Sequence, residues 1–377
     1  MSKLPSRTRA GYTIIELLVA IFIIGLLMAL AVTGVRQAMI RARTGAALIE
    51  IGKISDAIEN WKSKVGDYPP CMGDVLATHT GNIPGRQDRF ITALRRAFPR
   101  YVTVPSVGGG SAPGPVTYNN VGLYIAQTYR TATGALNINT MDQAEALVFW
   151  LGGLPTPYSA NAGIFLGSRK LCGFHNNPSN PFQFDVPTAS ATSARSTAGI
   201  DFDDTRLVDS DGDGWFEYVP KLLDAAMYTP PYVYFDANLY GQVNPLLGVG
   251  IPTYYAYPSP TLSGTSVPVP GQAWGYAVPW ATRVVAGSIN QWIKPGSFQI
   301  ICAGLDSAYS DAVNTPANRI PVLPVGQAAG QFSVLPPTGQ VYWLGNQSFE
   351  PLDAFEQDNL ANFSDSTMFD ASQAAGS

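Results

Sequence analysis

Residues 13–35 read TIIELLVAIFIIGLLMALAVTGV, and from Leu17 to Val32 no side chain is charged or strongly polar. With its flanks this run reaches the ~20 residues that span a bilayer as a helix. Lys3, Arg7 and Arg9 precede it, and the positive-inside rule keeps that end cytoplasmic and sends the bulk of the chain across. An ordinary secretory signal ends in a small-residue cleavage site after its apolar stretch; here the pattern runs on through Arg36. Ala47, Ile51, Ile54, Ile58, Trp61 and Val65 then recur at alternating four- and three-residue steps, one face of a continuing helix, with Ser55, Asp56, Glu59, Asn60 and Lys62 on the others. Gly66, followed by Asp67, Tyr68, Pro69 and Pro70, ends it with a flexible cap and prolines that cannot continue a helix.

Farther on the pattern changes. Arg89–Phe98 and Met141–Leu151 predict short helices, the second starting after Thr140 with Asp142 in its first turn and stopping at Gly152-Gly153. Tyr232–Phe235, Ala277–Val285 and Phe298–Cys302 predict strands, and the Gly- and Ser-rich stretches 107–115 and 188–199 predict exposed loops. One long helix followed by strands with insertions is an α+β fold, with the helix packed on an antiparallel-sheet head carrying large loop insertions.

Glu16 stands out, because a carboxylate at the edge of an apolar run is costly to bury in lipid. Its surroundings, Arg-Ala-Gly-Tyr-Thr-Ile-Ile-Glu-Leu-Leu-Val from Arg9 to Val19, resemble the class III leader of type IV pilins and type II secretion pseudopilins. That resemblance implies cleavage after Gly11 by a prepilin peptidase and methylation of the new terminus, Tyr12, where the family usually has Phe. It makes Glu16 the fifth mature residue. A terminal ammonium and a carboxylate about one helical turn away relieve each other's desolvation when Glu16 of one subunit meets the Tyr12 amine of a neighbour, which also sets a register. The segment DAIENWKSKVGDYPP, residues 56–70, is similar to the helix end of the major pseudopilin, with Trp61 in place of Tyr. The expected organisation is a basic leader at 1–11, a transmembrane and amphipathic assembly helix at 12–66, a globular head at 67–345 and an acidic flexible tail at 346–377.

Composition narrows the function. Hydrophobic residues make up 46% of the chain, enough for a sizeable core, while 37 Gly and 30 Pro point to turns and irregular loops. A net charge of -4 does not supply the basic face that nucleic acid requires. Cys71, Cys172 and Cys302 allow at most one internal disulfide, and spacing does not say which two would pair. The two histidines, His79 and His175, are too far apart in sequence to suggest a zinc site or a catalytic triad. No enzyme is predicted.

The sharpest local motif is Asp209-Ser-Asp211-Gly-Asp213-Gly214-Trp-Phe-Glu217. Alternate aspartates on a tight turn converge oxygens on one centre, and a hard all-oxygen set favours Ca²⁺ as a structural ion. An EF-hand loop carries a bidentate Glu at its twelfth position, where this chain has Pro220. The missing ligand is therefore sought in Asp224 or among Asp201, Asp203 and Asp204. A second candidate is Asp306, with Asp311 as a later ligand. The run Ser297–Asp306 resembles the loop that binds a structural calcium ion in major pseudopilins, though Ser307 replaces the family glycine.

The function that follows is a filament subunit, foremost a type II secretion pseudopilin. It would be anchored in the cytoplasmic (inner) membrane by a single pass, with its head periplasmic or extracellular. Its expected partners are the prepilin peptidase and identical or homologous pilin-like subunits. A surface pilus subunit is the alternative within that class. Outside it stands a membrane-tethered, calcium-dependent glycan-binding module using some of the 18 Tyr and 7 Trp.

Overall fold

In the computed structural model, the structure describes residues 13–71, 86–106, 113–129, 134–156, 170–184, 195–196, 199–221, 229–237, 253–255, 277, 279, 281–285, 288–292, 294, 296–304, 309, 341–343 and 359–362. Helix α1 runs unbroken from Ile14 to Val65, 52 residues. Thr13 caps its start, and Gly66 ends it at φ 88° with its N–H bonded to the Lys62 carbonyl at 2.7 Å. The N-terminal part of α1 is bare: Ile14, Leu17, Phe22, Leu26, Met28 and Val32 are all exposed. Among the described residues no helix is long and apolar enough to cross a membrane. Within the apolar stretch, the side chains of Leu30 and Thr33 lie outside the described residues.

The second half of α1 carries the head. Ala47, Ile51, Ile54, Ile58 and Trp61 are buried, the face expected from their spacing, while Asp56, Glu59 and Asn60 stay exposed. Trp61 meets Trp150 with ring centroids 5.3 Å apart. The turn after Gly66 is pinned by side chains from far along the sequence. Trp150 Nε1 donates to the Pro70 carbonyl (2.9 Å), Tyr234 Oη to the Pro69 carbonyl (2.9 Å), and the Cys71 N–H to Asp236 Oδ2 (2.8 Å).

Helix α2, Arg86–Ala97, starts three residues before the expected 89–98 and ends one residue short of it, and it buries Phe90, Ile91, Ala93 and Leu94. Helix α3, Tyr118–Thr128, was not expected. Asn119, Asn120 and Gly122 are poor helix formers, yet Thr117 caps it and Tyr118, Val121, Tyr124 and Ile125 bury one face. Helix α4, Gln143–Gly152, matches the expected Met141–Leu151 and is buried along its whole length. It packs between α1, Leu171–His175, Glu217–Tyr218 and Val233–Asp236.

Val233–Asp236 belongs to a three-stranded antiparallel sheet with Phe298–Cys302 at its centre and Leu360–Ala361 on the other edge. Phe298 faces Asp236, Ile301 faces Val233, and Cys302 faces Leu360. The third strand lies inside the stretch 346–377 that was expected as an acidic flexible tail. Leu360 and Ala361 are buried, and Asn362 Oδ1 accepts from the Ile300 N–H at 3.1 Å. Two apolar residues suffice to satisfy an open sheet edge, and the acidic character of the flanking sequence conceals them.

Smaller antiparallel pieces surround this sheet: Leu154–Pro155 with Leu171–His175 and Arg195–Ser196, and the hairpin Leu207–Val208 with Glu217–Tyr218. Ala281–Val285, inside the expected strand 277–285, pairs with Ser288–Trp292. Residues 114–115 and 195–196 form short strands inside the two stretches expected as loops; 107–112, 188–194 and 197–198 lie outside the described residues. Cys71, Cys172 and Cys302 are all thiols. The result is an α+β architecture: a long helix followed by short helices and small antiparallel sheets.

Candidate metal centre

The aspartate-rich motif forms the tip of the hairpin between Leu207–Val208 and Glu217–Tyr218. Its turn is built by its own carboxylates. Asp209 Oδ1 accepts from the Gly212 N–H (2.8 Å) and Oδ2 from the Gly214 N–H (3.1 Å). Asp211 Oδ1 accepts from the Asp213 N–H (3.2 Å), and Asp213 Oδ1 from the Trp215 N–H (2.9 Å). Gly212 and Gly214 take φ of 82° and 97°, the left-handed conformation that lets the loop fold back on itself. Trp215 is buried as the loop's anchor, donating from Nε1 to the Asn137 carbonyl (2.8 Å) and meeting Phe149 edge-on at 5.6 Å.

Helix α4 points its N-terminus at this loop. Asp142 is the N-cap, accepting from the N–H groups of Ala144 (2.8 Å) and Glu145 (2.9 Å), while Glu145 Oε2 accepts from the Asp142 N–H (2.8 Å). This reciprocal capping box satisfies helix-end donors. It also leaves two carboxylates beside the hairpin. Asp142, Glu145 and Glu217 each offer an oxygen within 4.8 Å of the others, and so do Glu145, Asp211 and Asp213. Oxygens sharing a calcium ion at 2.3–2.6 Å lie within about 5 Å of one another. Both trios can hold a metal ion, and Glu145 belongs to both.

Burial makes this clustering costly. Glu145 is 1% exposed and Glu217 2%. Burial first, then the charge of Asp142, holds the Glu145 carboxyl well above its usual range; burial, then Glu217, does the same to Asp142. Asp209 is pushed up to about 6 by burial and then by Asp211, and Asp211 to about 6 by burial and then by Asp213. Asp213 is raised by burial, against hydrogen bonds from Thr140 and Trp215. Glu145 Oε1 and Asp213 Oδ2 are buried and have no hydrogen-bond partner among the described residues.

Asp211 and Asp213 share one trio and Glu217 belongs to the other, the two being linked through Glu145, whereas Asp209 is in neither and spends its oxygens on loop amides. Asp142 and Glu145 were not singled out. Their trace in the sequence is Asp-x-x-Glu opening an otherwise apolar helix, a pattern that capping alone explains. Of the residues proposed to fill the ligand set, Asp201, Asp203 and Asp204 belong to neither trio. Asp203 caps the 3₁₀ turn 204–206 and Asp204 pairs with Lys170 at 3.2 Å; Asp201 is exposed. Asp224, Asp306 and Asp311 lie outside the described residues. His175, expected in a loop, ends the strand Leu171–His175, and its Nδ1 accepts from the Asn177 N–H at 2.9 Å.

The base of the same hairpin grips α1. Glu50 accepts from Arg206, from Tyr218 Oη (3.0 Å) and from Tyr232 Oη (2.7 Å), and the Arg206 guanidinium lies 4.2 Å from the centre of the Tyr218 ring.

At the other end of α1, Glu16 Oε2 accepts from the Thr13 N–H (2.9 Å) and Thr13 Oγ1 (3.0 Å), while Thr13 Oγ1 accepts from the Glu16 N–H (3.3 Å). Gly11 and Tyr12 lie outside the described residues. No curated protein and no solved structure matches the chain. Residues 6–32 match the family described as the prokaryotic N-terminal methylation motif, so the chain carries the N-terminal motif typical of type IV pilins and pseudopilins.

Proposed function

We propose that this chain is a structural subunit of a pilus-like filament, and within that class a type II secretion pseudopilin. The observation that carries the reading is the methylation motif at residues 6–32 placed on one unbroken helix, Ile14–Val65. Half of that helix exposes apolar side chains and half is locked into the head. A prepilin peptidase cuts after Gly11 and Tyr12 becomes the methylated terminus. The apolar half first anchors the subunit in the inner membrane, leaving the head on the far side, and then packs against the same helix of neighbouring subunits. Glu16 exchanges its local Thr13 bonds for the amine of a neighbour's Tyr12. The Gly66–Cys71 turn, held by Trp150, Tyr234 and Asp236, is consistent with the pseudopilin-like sequence there. Calcium bound through Asp211, Asp213 and Glu217 rigidifies the head, with Asp209 shaping the loop; Asp306 and Asp311 are proposed for a second ion.

Mass spectrometry of the N-terminal peptide from sheared filaments and from the cell envelope tests this. A peptide beginning at methylated Tyr12 and confined to the envelope supports the pseudopilin. The same peptide in sheared filaments assigns the chain to an external pilus instead. An uncut Met1 or Ser2 terminus in both fractions overturns the filament reading.

A further inference from the structure

We propose that helix α4 completes the metal site: Glu145, with Asp142 beside it, joins Asp211, Asp213 and Glu217 around a hard divalent cation, foremost Ca²⁺. The proposal rests on the calcium reading of the 209–217 loop and adds to it the ligands that the loop lacks. An isolated acidic turn on the surface needs no ion, because water screens its charges. This one is different, since Glu145 is buried at the point where helix and loop meet and its Oε1 has no hydrogen-bond partner among the described residues. Asp213 Oδ2, from the facing loop, is in the same condition. A buried carboxylate oxygen with no donor is expensive unless a cation satisfies it.

The donor set decides the kind of ion. Every member is a carboxylate, with no imidazole or thiolate, which suits hard cations and disfavours zinc and copper. Several carboxylates converging from two elements also suit calcium better than magnesium, which retains most of its water. One ion centred on Glu145, Asp211 and Asp213 is flanked by Asp142 and Glu217, which lie within 4.8 Å of Glu145. The cation fastens the N-terminus of α4 to the tip of a hairpin whose base holds Glu50 of α1. Ion binding then strengthens the attachment of the head to the assembly helix.

The test uses the full chain in detergent, stripped with a chelator. Terbium luminescence, sensitised by the buried Trp215, reports the site, and calcium displaces the terbium. Thermal unfolding is followed in chelator and in calcium for the wild type, Glu145→Gln, Asp211→Asn and Asp204→Asn. Glu145→Gln keeps an amide oxygen for the capping bond to the Asp142 N–H, so its helix start is preserved. It is expected to unfold in chelator no earlier than the wild type while binding calcium at least ~10-fold more weakly. Asp211→Asn should weaken binding similarly, and Asp204→Asn should leave it unchanged. If Asp211→Asn loses calcium while Glu145→Gln binds it at wild-type strength, the part assigned to α4 is wrong and the calcium loop stands. If the wild type gives neither luminescence nor a calcium-dependent shift, both fail.

Discussion

Arg206 and Glu50 form a two-pronged ion pair that joins the head to the long helix across 156 positions of sequence. Arg206 Nη1 lies 2.8 Å from Glu50 Oε2, and Nη2 contacts the other oxygen. Both side chains are largely covered, at 12% and 20% exposure, and the Tyr218 and Tyr232 hydroxyls add their own bonds to Glu50. Such a planar fork fixes direction as well as distance, so it specifies how the head sits on α1.

Removing one partner leaves the other partly buried without its counter-charge. Glu50→Ala is expected to destabilise the head by ~2–4 kcal/mol, somewhat below the cost of breaking a fully buried pair because solvent reaches this one. Replacing both partners, Glu50→Leu with Arg206→Met, should cost less than the sum of the single changes, because no orphaned charge remains. Urea unfolding of the four proteins checks this. Additive losses would mean that the two groups do not act as a pair.

Trp150 tests the core under the same helix. It is fully buried, touches Trp61, Phe90 and Phe149, and donates to the Pro70 carbonyl. Trp150→Ala should cost ~3–5 kcal/mol through the cavity it leaves, and should also loosen the turn after Gly66. Amide exchange at Cys71 is expected to accelerate more than exchange in the Phe298–Cys302 strand. Uniform acceleration would place the effect in global stability alone.

Acidity should act oppositely with and without calcium. Asp209 and Asp211 titrate near about 6 in the folded chain, above the ordinary aspartate value of 3.8. Between those values the folded protein holds protons that the unfolded chain has released. Their contribution to stability is therefore complete below about pH 4 and is lost as the pH rises through about 6. Calcium takes the place of the proton on Asp211 and binds only ionised carboxylates, while Asp209 keeps its bonds to the loop amides. Asp203, whose pKa is lowered by its Thr205 hydrogen bonds, pulls the other way in both conditions, so the informative quantity is the difference between them. The calcium-minus-chelator difference in Tm should be near zero at pH 4 and grow through pH 6. A difference independent of pH would show that Asp211 does not bind the ion.

Glu16→Ala separates assembly from folding. Glu16 is exposed and touches only Thr13 among the described residues, so the head should unfold at the same urea concentration as in the wild type, within ~0.5 kcal/mol. Recovery of the chain in filaments should fall sharply while cleavage after Gly11 continues. Normal filament yield would remove Glu16 from the proposed contact between subunits.

The long helix, its cap at Gly66 and the helix from 143 to 152 were all legible in the chain, because each is written locally in periodicity and end signals. The methylation motif is likewise a short contiguous string, readable without any fold. Asp211 and Asp213 could be named together because a tight turn gathers residues two positions apart, whereas Glu217 reaches that cluster only through Glu145. Asp142 and Glu145 could not be singled out. Their pattern is that of an ordinary helix cap, and only packing brings residue 145 beside residue 213. The same holds for Glu50 with Arg206, and for the Leu360–Ala361 strand hidden in an acidic stretch. Local propensity and short-range spacing carry the elements and the leader. Which carboxylates meet, which charges pair and which strand closes the sheet depend on contacts between distant segments, and those exist only once the core has formed.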